Sequence, residues 1–232
     1  MMKNIGVLVV FILSSVFVYG QQEMEVELEA FNKVKIFGSV EVQAKQGEEG
    51  HIKFISNKIP LSEIDFSVED STLSIKLTAK LFKDEKIYAE LVYPGLEEVT
   101  LNASAEMEIA GIIVQPAFNA TVSSGSELQF KCDVDYVELN AYQGAHIMTK
   151  GQAKEVVAFA NTGGIISATE LVTQKADVKF NTGGKGELTV EEELKARVTM
   201  GSHFSYFGRP DKLDVKSSLG GNISAWDAEE QK

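Results

Sequence analysis

The sequence predicts an all-β chain: a right-handed parallel β-solenoid (β-helix-like) with rungs of ~20 residues, preceded by a β-strand-rich N-terminal portion. Three observations carry that expectation. Short segments alternate apolar and polar residues with period two. No stretch after residue 20 keeps a helical apolar period for more than about two turns. From Ser104 onward, pairs of small residues or glycines recur at a nearly fixed interval, which is the signature of stacked repeats.

The first element is a leader for export. Lys3 supplies its positive end, residues 5–18 form its largely apolar run, and Val18-Tyr19-Gly20 places small residues where a signal peptidase reads them. The mature chain is therefore expected to begin near Gln21, with residues 21–30 as an extension. The run is short of the ~20 residues a membrane helix needs, and no second such run follows, so the sequence does not read as an integral membrane protein. No cysteine near the cleavage site suggests a lipid anchor.

Residues 31–95 read as a β-rich portion that caps the solenoid. Val34-Lys35-Ile36-Phe37, Ile52-Lys53-Phe54-Ile55, Ile64-Asp65-Phe66-Ser67-Val68 and Leu73-Ser74-Ile75-Lys76-Leu77 alternate as half-buried strands do. Turn residues separate them, among them Gly38-Ser39, the Gly47-Glu48-Glu49-Gly50 run and Pro60, and the portion closes at Pro94-Gly95.

Residues 96–226 read as the rungs, and 227–232 as a polar tail. Candidate corners fall at Ser104-Ala105, Ser124-Gly125, Gln143-Gly144, Gly163-Gly164, Gly183-Gly184, Gly201-Ser202 and Gly220-Gly221, the first five separated by 20, 19, 20 and 20 residues. Glycine suits a corner because a sharp bend needs positive φ or close approach of the next rung. A second, looser corner is expected near Lys150-Gly151-Gln152. Stacking rungs about 4.8 Å apart would pair every strand and bury one apolar column. The spacing also predicts ladders: Asn161 over Asn181, Thr162 over Thr182, and an Asp135, Glu155, Lys175, Lys195 column. Val156-Val157-Ala158-Phe159-Ala160 does not alternate, which leaves its inward phase open.

Charge and composition narrow the function. A net charge of −12 is the wrong sign for nucleic-acid binding. Cys132 is the single cysteine, so it forms no internal disulfide and reads as a small buried hydrophobe. His51, His146 and His203 lie far apart without a ligand pattern, and no metal or cofactor is expected. Gly183-Gly184-Lys185-Gly186-Glu187-Leu188 begins like a calcium-binding nonapeptide but has leucine where aspartate is needed. Glu48-Glu49, Glu191-Glu192-Glu193 and Glu229-Glu230 read as solvated acid runs. Asn102, Asn119 and Asn222 begin glycosylation-type triplets that double as turn chemistry. A glycosidase needs two carboxylates about 5–10 Å apart. Glu127 and Glu187, at similar corner offsets, fall three rungs or ~14 Å apart.

Several segments together resemble the putative auto-transporter adhesin, head GIN domain family of bacterial envelope proteins. They are Phe31-Asn32-Lys33-Val34-Lys35-Ile36-Phe37-Gly38, residues 65–77, Tyr93-Pro94-Gly95-Leu96, the glycine corners, Tyr206-Phe207-Gly208-Arg209-Pro210 and Leu219-Gly220-Gly221-Asn222-Ile223. The resemblance spans residues 31–225. It departs at Ser104-Ala105, Gln143-Gly144 and Ser202-His203. It implies a non-catalytic adhesin, exported to the periplasm, cell surface or exterior, presenting a solenoid surface to a surface glycan, a protein or another copy of itself. The alternatives are a polysaccharide-active β-helix enzyme and a purely structural envelope protein. Trp226, with Phe204, Tyr206 and Phe207, is expected either to cap the end of the apolar column or to form part of a contact surface.

Overall fold

The computed structural model describes residues 21–77 and 86–226; the leader expected at 1–20 and the tail expected at 227–232 lie outside the described residues. The early strands are short: β1 (Gln22–Glu27), β2 (Lys33–Phe37), β3 (Val40–Gln46), β4 (His51–Ser56), β5 (Ile64–Glu69), β6 (Thr72–Leu77), β7 (Ile87–Tyr93), β8 (Glu98–Asn102) and β9 (Glu106–Ile109). Long bent strands follow: β10 (Ile113–Val122), β11 (Glu127–Tyr142), β12 (His146–Asn161), β13 (Ile165–Asn181) and β14 (Lys185–Thr199). The chain closes with β15 (His203–Phe207), β16 (Lys212–Ser218) and β17 (Asn222–Trp226).

These strands stack in parallel as two columns that meet at sharp corners, a solenoid-like arrangement of about seven turns. The first column runs β6, β2, β8, the C-terminal parts of β10 to β14, then β16. The second runs β7, β3, β9, the N-terminal parts of β11 to β14, then β15 and β17. Chain order and stacking order differ at the start, because the β2–β3 turn lies between β6–β7 and β8–β9. Residues 31–95 thus supply turns of the same columns. Beyond them β5 on β6, β4 on β7 and β1 on β4 run antiparallel over the end.

Every corner from Ala103 to Gly220 has two successive residues at positive φ: Ala103-Ser104, Ser124-Gly125, Gln143-Gly144, Thr162-Gly163, Thr182-Gly183, Met200-Gly201 and Leu219-Gly220. Positive φ at both central residues defines a type I′ turn, and the closing hydrogen bonds, such as Gly164 N to Asn161 O at 3.0 Å, are present. The corner amides also join the rungs: Gly144 N donates to Thr162 O at 3.2 Å, and Gly163 N to Thr182 O at 3.1 Å. Each glycine of the Gly-Gly corners has its own cause. Gly163 sits at φ +76° with only Gly144 N, 4.0 Å away, near its Cβ position, whereas a Cβ on Gly164 would lie 2.1 Å from the Ala141 carbonyl oxygen.

The second corner positions, 104, 125, 144, 163, 183, 201 and 220, are 18 to 21 residues apart, so the period is looser than the sequence suggests. The difference is absorbed in bulges. The Asp135, Glu155, Lys175, Lys195 column accordingly does not form. Glu155 lies in register between Tyr136 and Lys175, and Lys175 is followed by Glu193. Asp135 instead pairs with Lys154 at 2.5 Å, and Lys195 with Asp177 at 3.5 Å. The Asn161–Asn181 register does form.

Side chains pointing between the columns make one continuous core. In the first column Val137-Leu139-Ala141 lies above Val156-Ala158-Ala160, then Ala176-Val178-Phe180, then Leu194-Ala196-Val198. This fixes the phase that the sequence leaves open: Val157 and Phe159 face outward, where the Phe159 ring rests 5.5 Å from that of Tyr142. Where Phe180 reaches across to the second column, the facing residue is Gly186. A Cβ there would lie 2.8 Å from the ring.

Candidate functional site

Parallel stacking turns each outward position into a row of side chains about 4.8 Å apart. On the second column one row reads Glu41, Glu106, Glu127, His146, Ile165, Lys185, His203, Asn222. The next reads Gln43, Glu108, Gln129, Met148, Ser167, Glu187, Ser205, Ser224. Acidic residues crowd the early strands, where Lys86 bridges Glu106 at 2.5 Å and Glu41 at 3.4 Å. The hydrogen bond to Glu106 is the main reason the Lys86 ammonium is held above its ordinary pKa, with burial opposing it.

A groove of about 320 Å³ opens on this face. Its floor is Glu108, Gln129, Met148 and Ser167, in register on β9, β11, β12 and β13. Lys131 and Lys150 line its side toward the looser bend, and Thr169 and Glu170 stand beside Lys150 on the next strand. The cause is a bulge: β13 pairs with β12 up to Ser167 and resumes at Leu171, while against β14 it pauses between Ala168 and Val172. Thr169 and Glu170 therefore have no register partner on either side, and they are pushed outward. Lys150 lies 3.8 Å from Glu170, and His146 Nε2 shares a 2.9 Å hydrogen bond with Ser167 Oγ. The lining offers hydroxyl, amide, ammonium and carboxylate groups beside Ile109, Phe130 and Met148, a set suited to hydrogen-bonding a ligand that also has an apolar face.

The carboxylates considered for hydrolysis do not come together. Glu127 and Glu187 lie in different rows, three strands apart. Closer acids, Glu41, Glu106 and Glu127, occupy adjacent strands because β3 inserts beside β9, a long-range pairing with no local signal. Among the described residues no group of three or more histidine, cysteine or acidic side chains is placed to hold a metal ion.

Cys132 sits at the looser bend, fully buried, with Sγ 4.0 Å from both Thr149 Oγ1 and Gln152 O. Burial pushes its thiol up to about 11, so the nucleophilic thiolate is scarce at neutral pH. Ellman's reagent at pH 8 is expected to leave the folded chain unlabelled and to titrate one thiol after denaturation. Rapid labelling of the folded chain would contradict this burial.

The four aromatic side chains near the C-terminus separate into two groups. Phe204 is 1% exposed and lies in the core. Its ring is edge-on to Phe180 at 5.4 Å and stacked with Tyr206 at 6.4 Å. Phe207 and Trp226 share an outward row, with ring centres 6.0 Å apart. Trp226 is 50% exposed, and Leu213 and Leu219 in the same last rung are 50% and 73% exposed. Among the described residues nothing pairs with the outer edges of β16 and β17.

The family described as putative auto-transporter adhesin, head GIN domain matches residues 30–210. Among solved structures, the chain is similar to a putative adhesin from Parabacteroides merdae ATCC 43184, with 15% identity, 90% of this chain and 97% of that chain covered, and a TM-score of 0.73. It is also similar to a putative adhesin from Bacteroides fragilis NCTC 9343, with 13% identity, coverage of 89% and 97%, and a TM-score of 0.78. A putative lipid binding protein from Parabacteroides distasonis ATCC 8503 aligns at 14% identity, 90% and 97% coverage, and a TM-score of 0.69. No curated protein matches. At these identities the solved structures speak to the fold. Among the described residues no helix is long and apolar enough to cross a membrane.

Proposed function

Because the chain belongs to the putative auto-transporter adhesin, head GIN domain family, we propose that it is a non-catalytic, exported protein of the cell envelope that uses the outer face of its second column as a binding surface. The groove over Gln129, Met148 and Ser167 carries this reading, since it is concave, mixes polar and apolar groups, and is bounded by the bulge at Thr169 and Glu170. A surface glycan is the ligand class we favour, because the lining supplies clustered donors and acceptors beside apolar contacts at Ile109, Phe130 and Met148. A surface protein is the second class.

A glycan array and a pull-down from cell-surface extracts test the proposal with two variants. Ser167→Trp fills the groove and is expected to weaken binding at least tenfold. Thr121→Trp, on the outer face of the first column, is expected to leave binding unchanged. Equal binding by both variants would remove the groove from the account, and cleavage of an array glycan would overturn the non-catalytic reading. Mass spectrometry of the exported protein is expected to find its N-terminus within a few residues of Gln21; an intact Met1 species in the envelope would contradict the leader.

A further inference from the structure

We propose that two copies of the chain join through their last rungs, with β16 of one copy adding antiparallel to β16 of the other to form a closed dimer. The two ends of the solenoid are finished differently. At the N-terminal end, β5 covers β6, whereas both β4 and β1 extend beyond β7, so one column ends a strand further out than the other. At the C-terminal end, β16 and β17 belong to one rung, joined at Leu219-Gly220, and the two edges finish level. Among the described residues that level end is open, and an unpaired parallel-stacked edge is a template for another strand.

A second copy fits this edge better than the opposite end of the same molecule does. A head-to-tail stack would set a level end against a stepped one, leaving one column a strand out of reach. The β16 strand is instead complementary to itself. It reads Lys212-Leu213-Asp214-Val215-Lys216-Ser217-Ser218. Antiparallel pairing about a two-fold axis at Val215 sets Asp214 opposite the second copy's Lys216, twice by symmetry. Opposite charges across a strand pair are stabilising. The same register sets Val215 against its own copy and Leu213 against Ser217 on the core-facing side, where Leu213 and Val215 continue the Leu194 and Ala196 rows. Arg197 holds Asp214 in place from β14 at 2.6 Å, which leaves the carboxylate on the outer face beside the axis. One two-fold contact closes the assembly, so no fibre grows. It also leaves both grooves free, so the dimer does not depend on what the groove binds.

The test uses the full-length exported chain. Light scattering is expected to give twice the mass of one chain at micromolar concentration. Val215→Cys, on the axis, is expected to cross-link into covalent dimers on mild oxidation. Leu219→Cys, four residues away and exposed at the same end, is expected not to, since the two-fold carries the two corners apart. Lys216→Glu sets like charges opposite each other twice and is expected to raise the dimer dissociation constant about tenfold at low salt, with the melting temperature of the isolated chain unchanged. A monomeric mass would overturn the proposal, and so would a monomer whose β16 amides are protected from exchange, since its own chain would then cover the edge. Cross-linking at Leu219→Cys as fast as at Val215→Cys, or a dimer indifferent to Lys216→Glu, would overturn this two-fold register.

Discussion

Replacing Gly164 with alanine is expected to destabilise the fold by about 2–4 kcal/mol, lowering the melting temperature by roughly 5–15 °C. The new Cβ would stand 2.1 Å from the carbonyl oxygen of Ala141 and 2.5 Å from its carbon, backbone atoms of the preceding rung that cannot swing aside. Gly163→Ala is expected to cost less, about 1–2 kcal/mol, because φ is +76° but the new Cβ would meet only Gly144 N, at an ordinary 4.0 Å. Gly151→Ala combines both penalties, with φ at +120° and the Cys132 oxygen 2.0 Å away, and belongs with the severe class. Gly95→Ala is the control, since nothing lies within 4 Å of its Cβ position. Gly47, in a hydrophilic turn, is not a benign control, as a Cβ there would lie 2.5 Å from Val92 Cγ1. Thermal melts of the four alanine variants at positions 95, 151, 163 and 164 check the order. Equal shifts at positions 95 and 164 would contradict the stacked corner.

Phe180→Ala is expected to cost about 3–5 kcal/mol, through lost burial and the cavity left behind. Its ring is 1% exposed, touches Phe204 edge-on, and fills the volume that Gly186 leaves empty. Gly186→Ala alone is expected to be destabilising by about 1–3 kcal/mol, since the added methyl meets the ring at 2.8 Å and the Ile166 oxygen at 2.7 Å. Combining the two changes is expected to cost less than their sum, because the vacated ring space receives the new methyl group. Denaturant titration of both single variants and the double variant measures this coupling. Strict additivity would mean that the ring and the glycine do not share the same space.

The corners were the most legible part of the fold, because a type I′ turn demands residues that tolerate positive φ, which writes glycine into every sharp corner but Ala103-Ser104, although turns such as Thr162-Gly163 sit one residue before the pair read from the sequence. The inward phase was harder to read where an outward position is also apolar. Val157 and Phe159 broke the alternation of β12, and only the outward packing of Phe159 on Tyr142 explains them. The Asp135–Lys195 ladder failed for a different reason: β11 and β12 are offset by 19 residues throughout, the β13–β14 offset drops from 20 to 17 and then 18 across its bulges, and one residue of slip moves every side chain to another row. The groove depends on such a bulge at Thr169-Glu170, so neither its walls nor its floor was visible as a motif. The insertion of β2–β3 between later turns was likewise hidden, since short alternating strands do not state their partners. Trp226, singled out as the sole tryptophan, lies beside Phe207 on the outer face, and Phe204 lies in the core; tryptophan scarcity alone did not separate those environments.

Distance measurement between paired spin labels tests the two-column stack most directly, with labels on cysteines placed at Glu41 and Lys185, and at Glu41 and Asn222. Buried Cys132 does not compete for the label. These positions belong to one outward row, five and seven strands apart, which predicts backbone separations of about 24 Å and about 34 Å at the strand spacing. Two distances differing by about 10 Å in that order would support the stack and the insertion of β3 beside β9. Separations that do not increase from Lys185 to Asn222, or a Glu41 that lies more than two strand spacings from its expected level, would contradict it.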